Sequence, residues 1–256
     1  MNRITDYYEL KDRITTWIRE YVLSNNINVL VVGVSGGIDS AVTSTLCAET
    51  GLPTYVITMP LLSTHENTKL SDQHARYLEE KYENVTRVQI ELSSVYDQFM
   101  HSVDWWCSAQ AIPKEFTQNE LANANTKARI RMITLYQVAG SKGGIVVGTG
   151  NKVEDYGIGF FTKYGDGAVD ISPIADLYKT EVWELGKYLG VDESIVNAPP
   201  TDGLWDDKRT DEDQIGASYA DLEEVMEKGE GKALEIFEKF NKQNQHKMNP
   251  IPTFKL

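Results

Sequence analysis

The chain has 256 residues, of which 41% are apolar and 10% aromatic, enough to bury a sizeable core. Its formal net charge of −13 argues against a general nucleic-acid binder, which needs a basic footprint, and its two cysteines, Cys47 and Cys107, lie far apart and suggest neither a disulfide framework nor a zinc cluster. No window approaches the roughly 20 apolar residues of a membrane span, and the amino-terminal "MNRITDYYELKDR" lacks the apolar core of a signal peptide, so the cytosol is the expected compartment. In chain order, the stripe Ile14, Trp17, Ile18, Tyr21 and Val22 predicts an amphipathic first helix that stops at Asn25 and Asn26. A buried strand follows over Val29 to Val34, then a glycine loop and a helix to about Thr50. "PTYVITM" predicts a second strand, "HENTKLSDQHARYLEEKY" a second helix and "VTRVQIEL" a third strand. Gln118 to Val138 reads as a long helix, "GGIVVGTG" as a fourth short strand, and Lys179 to Leu189 as a further helix beyond a glycine-rich, charged stretch. The acidic run "TDGLWDDKRTDEDQ", Thr201 to Gln214, and the tail "NKQNQHKMNPIPTFKL" read as a solvated loop and a frayed end. Strands alternating with helices at this spacing imply βαβ crossovers: an α/β fold, three-layered and Rossmann-like, its parallel sheet flanked by helices. With no repeat, low-complexity tract or linker, residues 1–256 are expected to form one domain.

The loop after the first strand, "GVSGGIDS", separates three phosphate-binding designs. A Walker A loop needs Gly-Lys followed by Ser or Thr, which the chain lacks, and the dinucleotide fingerprint G-x-G-x-x-G fails at the positions after Gly33. What remains is Ser-Gly-Gly-x-Asp-Ser. Gly36 and Gly37 permit close backbone approach, the N–H groups opening the next helix form an anion site, and Ser35 and Ser40 add hydroxyls. Asp39 reads in one of two ways: a first-turn acid favoured by the helix N-terminus, or a carboxylate that tolerates a polyphosphate because a divalent cation bridges the two. The second points to a Mg²⁺–pyrophosphate site.

This loop resembles the signature of the ATP pyrophosphatase (PP-loop) superfamily, whose members use ATP to adenylate a substrate oxygen and release pyrophosphate; the resemblance implies an adenine nucleotide α-hydrolase-like sheet. "NTKARIRM", "GTGNKVED", "GFFTKYGDGAVDISPI" and the pair His246–Lys247 extend the likeness, in order and spacing, to the NAD synthetases over nearly the whole chain. That resemblance implies amidation of nicotinic acid adenine dinucleotide (deamido-NAD⁺) to NAD⁺ with ammonia, through an adenylate, releasing AMP and pyrophosphate. It places the ATP cradle on Gly33, Val34, Ser35, Gly36, Gly37, Ile38, Asp39 and Ser40, with Thr149, Lys179 and Thr201 as further contacts. It places the magnesium ligands on Asp39 and Glu154, and the deamido-NAD⁺ contacts on Arg129, Lys163, Asp170, His246 and Lys247.

Chemically, charge that builds on the phosphates must be met by Mg²⁺ and by lysines, with Lys179, Lys163 and Lys247 the candidates. Asp170 reads either as the acceptor of ammonia's proton or as an acceptor that orients the ligand. Each has a plainer reading: Arg129 as a solvated or paired helix residue, Lys179 as surface charge, Glu154 as a turn residue. One common family form has Asp-His-Ala-Ala-Glu here and one residue fewer before "GFFTK". That extra residue makes Asp155 a second metal candidate, with Glu154 favoured. The resemblance also implies a homodimer, for which the apolar faces of the first and the long helix are the candidates, Trp105–Trp106 reading as core or interface. The short stretch before the loop leads us to expect ammonia itself, or a separate partner delivering it, as the nitrogen source rather than a fused amidase domain. Another PP-loop ligase and a nucleotide-binding regulator without turnover are the alternatives. The acidic loop and the His-Lys tail are expected to order over bound substrates.

Overall fold

A computed structural model describes residues 4–62, 65–110, 118–201 and 209–255. Helix α1 (Tyr7–Ser24) starts where Asp6 accepts from the N–H of Glu9 and ends at Asn25, with Asn26 in the left-handed region. Then come β1 (Leu30–Gly33), α2 (Ile38–Glu49), β2 (Thr54–Thr58), α3 (His65–Lys81), β3 (Val85–Gln89), α4 (Ser93–Ala109), α5 (Glu120–Lys142) and β4 (Ile145–Val147). A seven-residue π-helical turn, Lys152–Ile158, precedes α6 (Lys179–Leu189), α7 (Glu193–Val196), α8 (Asp211–Ile215), α9 (Tyr219–Lys228) and α10 (Leu234–Met248). Among the described residues no helix is long and apolar enough to cross a membrane.

The strands are wholly parallel in the order β3-β2-β1-β4, with Leu30 opposite Thr54 on one side and Ile145 on the other. Leu30, Val31 and Val32 are completely buried, as expected of a strand covered on both faces. One face packs on α1, α2, α3 and α6 through Ile18, Leu46, Leu78 and Leu185; the other packs on α5 through Met132, Leu135 and Ala139. From β1 the chain steps outward to β2 and β3, then returns to place β4 on the opposite side of β1. The carboxyl ends of β1 and β4 therefore flank the topological switch point, where an open parallel sheet leaves a crevice for a ligand.

A second apolar cluster, built on Tyr178, Ile215, Tyr219, Leu222 and Val225, packs α8 and α9 beneath the π-helical turn. This region departs from the sequence expectation. The latter part of the acidic run is α8, started by a capping box between Thr210 and Asp213, with Asp211 buried; residues 202–208 of that run lie outside the described residues. Nor is the tail frayed at Asn241. It continues α10 to Met248, pinned where Asn241 and Asn244 donate to the carbonyls of Gly157 and Ile158 at 2.8 Å.

Candidate active site

The loop from β1 to α2 closes on its own serines. Ser40 Oγ accepts from the Ser35 N–H at 3.1 Å and donates to the Gly37 carbonyl, while Ser35 Oγ accepts from the Gly37 N–H. Gly36 has φ 94°, a conformation that favours glycine, and Gly37 caps α2 without a side-chain bond. The first N–H groups of α2 are thus left for an anion.

Asp39, in the first turn of α2, meets two residues from beyond β4. Lys179 Nζ donates to Asp39 Oδ2 at 2.6 Å and to Glu154 Oε1 at 2.9 Å, and Asn151 Nδ2 donates to Asp39 Oδ1 at 3.1 Å. Lys179 is the first residue of α6, its side chain 3% exposed against 18% for Asp39 and 15% for Glu154. Asn151 starts the π-helical turn by accepting from the N–H groups of Val153 and Glu154, which fixes where Glu154 points. Burial lowers the Lys179 pKa, but the two carboxylates more than reverse this, so the ammonium stays charged at any physiological pH. Asp39 is pushed up, by burial first and then by Glu154 against the pull of Lys179. Glu154 is held below the ordinary carboxylate range, Lys179 outweighing its burial. Asp155 is raised well above that range by burial and by Asp166, Glu154 and Asp39, and its carboxylate lies so close to Gly150 that a Cβ there would sit 1.9 Å from Oδ2.

One ammonium therefore faces Asp39, Glu154 and the nearby Asp155; burial first, and then the neighbouring carboxylates, raise Asp39 and Asp155, while Lys179 holds Glu154 down. Hard oxygen donors in such surplus beside an open helix N-terminus suit a small divalent cation shared with phosphate oxygens. Asp39 and Glu154 have the donor chemistry that magnesium takes when phosphate oxygens and water complete its shell.

The second set of expected residues is brought together elsewhere. Arg129 on α5 donates from Nε and Nη2 to the Lys163 carbonyl at 3.3 and 3.2 Å, and Lys163 Nζ donates to the His246 carbonyl at 2.9 Å. Lys247 Nζ bonds the carbonyls of Gly159 and Phe161 at 2.6 and 2.8 Å and stands 5.0 Å from the Phe161 ring centroid. Burial lowers the Lys247 pKa, opposed by Asp166 and Asp155. Asp170 joins neither set by a direct contact. Its Oδ2 accepts from the Val146 N–H at 2.7 Å and its Oδ1 from the Tyr136 hydroxyl at 3.1 Å, tying it to β4 and α5. Thr149 follows β4, partly buried, and Thr201 is exposed beside residues 202–208.

Two members of the constellation escaped the sequence reading. Asn151 stood inside a quoted motif, but an asparagine two residues past a glycine signals only a turn. Tyr219, whose hydroxyl donates to Glu154 at 2.6 Å, carried no signal.

The NAD synthase family model matches residues 10–251. The NH₃-dependent NAD⁺ synthetase of Carboxydothermus hydrogenoformans is 37% identical over 246 residues, 94% of this chain and 95% of that one. Among solved structures, an NMN synthetase from Francisella tularensis superposes with TM-score 0.87 at 31% identity, covering 99% of this chain and 100% of that one. An NH₃-dependent NAD synthetase from Campylobacter jejuni gives TM-score 0.75 at 27% identity, covering 98% and 100%.

Proposed function

The chain belongs to the NAD synthase family, and from that premise we propose that it is an NH₃-dependent NAD⁺ synthetase, acting as a single domain and in the cytosol. The observation that carries the reading is the convergence of Asp39, Glu154 and Lys179 at the switch point, beside the open N-terminus of α2.

The pyridine carboxylate of deamido-NAD⁺ attacks the α-phosphorus of ATP, forming an acyl adenylate as the bond to pyrophosphate breaks. Ammonia then attacks the acyl carbon, AMP leaves, and a base takes the surplus proton. A bound Mg²⁺ supplies charge neutralisation on the leaving pyrophosphate, and Asp39 and Glu154 are the side chains that would hold it. The loop Gly33–Ser40 cradles phosphate oxygens through its N–H groups and serines, and Lys179 meets charge that builds on them. Thr149 and Thr201 complete the ATP site. Arg129, Lys163, His246 and Lys247 surround the second substrate, with Arg129, Lys163 and Lys247 exchanging the carbonyls they now hold for its anionic groups. Asp170, as a carboxylate held by Tyr136 and a strand N–H, is suited to orienting that substrate; the role of proton acceptor fits it less well, both its oxygens being engaged. The active form is a homodimer.

The test is direct. With ATP, Mg²⁺, ammonium and deamido-NAD⁺, the protein should yield NAD⁺, AMP and pyrophosphate in equal amounts; a well-folded preparation that makes no NAD⁺ refutes the assignment. The likeness to an NMN synthetase favours one second reading, in which the preferred acceptor is nicotinic acid mononucleotide. Running both acceptors side by side decides it through the ratio of their kcat/KM values.

A further inference from the structure

Tyr219 lies outside every motif that pointed to the site, yet it touches both of the charged partners on that side of the cluster. It opens α9 directly after the cap Ser218 and is 1% exposed. Its hydroxyl donates at 2.6 Å to Glu154 Oε1, the same oxygen that accepts from Lys179, and makes a longer 3.4 Å contact with Asp211. A phenol donating to a carboxylate at that separation makes a strong, charge-assisted bond. The ring is fixed as well: Trp183 stands edge-on to it at 5.8 Å and 88°, and the Lys179 ammonium lies 4.9 Å from its centroid. Four residues on, along the same helix face, the completely buried Glu223 accepts from the Thr180 N–H at 2.9 Å and the Thr180 hydroxyl at 2.6 Å, gripping the first turn of α6 beside Lys179. One face of α9 thus reaches Glu154 directly and Lys179 through its helix.

We propose that Tyr219 is a positioning residue for the cation site: it anchors the Glu154 carboxylate independently of Lys179, so that when the lysine turns to nucleotide phosphate the carboxylate stays aimed at Asp39. This rests on the reading of Asp39 and Glu154 as cation ligands. Groups that orient ligating carboxylates commonly change metal affinity by about 10–100-fold when removed. Phenylalanine keeps the ring, its contact with Trp183 and the face turned to Lys179, and removes only the donor.

Mn²⁺ binding, followed by electron paramagnetic resonance with and without ATP, should weaken about tenfold in Tyr219→Phe. In turnover assays the KM for Mg²⁺ should rise in parallel, while the KM for ammonium stays close to that of the wild type. Mn²⁺ affinity within twofold of wild type overturns the proposal. Because a variant can also fold poorly, 3-fluorotyrosine introduced at 219 gives a second measurement in the intact site. Its fluorine resonance should move on Mg²⁺ addition, and an unmoved resonance likewise overturns the proposal. Wild-type protein that binds Mn²⁺ no better than Asp39→Asn would instead refute the ligand reading beneath it.

Discussion

Asp39, Lys179 and Glu154 form a balance of charge that single substitutions disturb in opposite ways. Asp39→Asn keeps the shape and the contact with Asn151 but removes the proposed cation ligand, so the fold should be retained, by circular dichroism, while no pyrophosphate is released; normal turnover would refute the metal argument. Lys179→Met leaves two buried carboxylates facing each other without their ammonium. Breaking a buried pair from one side costs about 3–5 kcal/mol, so the melting temperature should fall sharply. Added Mg²⁺ should then restore more stability to this variant than to the wild type, since it replaces the missing charge, and equal Mg²⁺ shifts in the two proteins would count against it. Asp39 was legible because a carboxylate beside a phosphate cradle demands a cation, whereas Glu154 and Lys179 were legible only through the resemblance of the later motifs to the NAD synthetases. The choice between Glu154 and Asp155 was not legible, because counting along a chain cannot show that a widened turn directs Glu154 to Lys179 and Asp155 toward Gly150. Tyr219 was hidden for a different reason: its partner lies 65 residues away and nothing local marks it.

Helices α2 and α3 are joined by a buried polar contact with a pH signature. His74, 2% exposed, sits 3.1 Å from the Ser44 hydroxyl, and burial lowers its pKa from an ordinary 6.5 to about 4. Between those values the unfolded chain binds a proton that the folded chain refuses, so stability is greatest above pH 6.5 and falls as pH drops toward 4. The loss amounts to about 3 kcal/mol for this group. Urea unfolding at pH 7 and pH 4.5 should show the fall, and His74→Gln should flatten it; an identical slope in the variant would assign the effect elsewhere. At this scale the strands and α1, α2, α3, α5 and α6 were readable from apolar periodicity. Helix α4 was not, because Val95, Phe99, Trp105 and Trp106 lie on its exposed side and blur the stripe. Helix α10 was missed because it buries no residue completely and reads as a polar tail, although its asparagines dock it firmly.

Over the whole molecule, a net charge of −13 surrounds a site that must take up two anionic nucleotides, so attraction has to be local: the N-terminus of α2, the lysines and a bound cation. The surface also carries large apolar side chains that one chain leaves uncovered, among them Leu121 and Ile133 on α5, 61% and 70% exposed, and the edge-on pair Trp105–Trp106 on α4. If the chain pairs with itself through α5, Ile133→Glu should sediment as a monomer with unchanged circular dichroism, whereas wild type sediments as a dimer; a variant that remains dimeric places the interface elsewhere. The parallel sheet was legible because strands alternating with helices at βαβ spacing must pair in parallel; its strand order and switch point came only from the structure. The second apolar cluster was not, since it is assembled from distant short helices. The π-helical turn bears on chain length as well as on direction. Compared with the family form that is one residue shorter before "GFFTK", this chain holds its extra residue in a turn whose Gly159 N–H reaches back five residues to the Glu154 carbonyl. An insertion into an ordinary helix would rotate everything after it by about 100°, but here the widened turn absorbs it. The widened turn lets the chain run on to Phe160 while the acid at 154 keeps its bearing on Lys179, a local slack that separates chain length from side-chain direction.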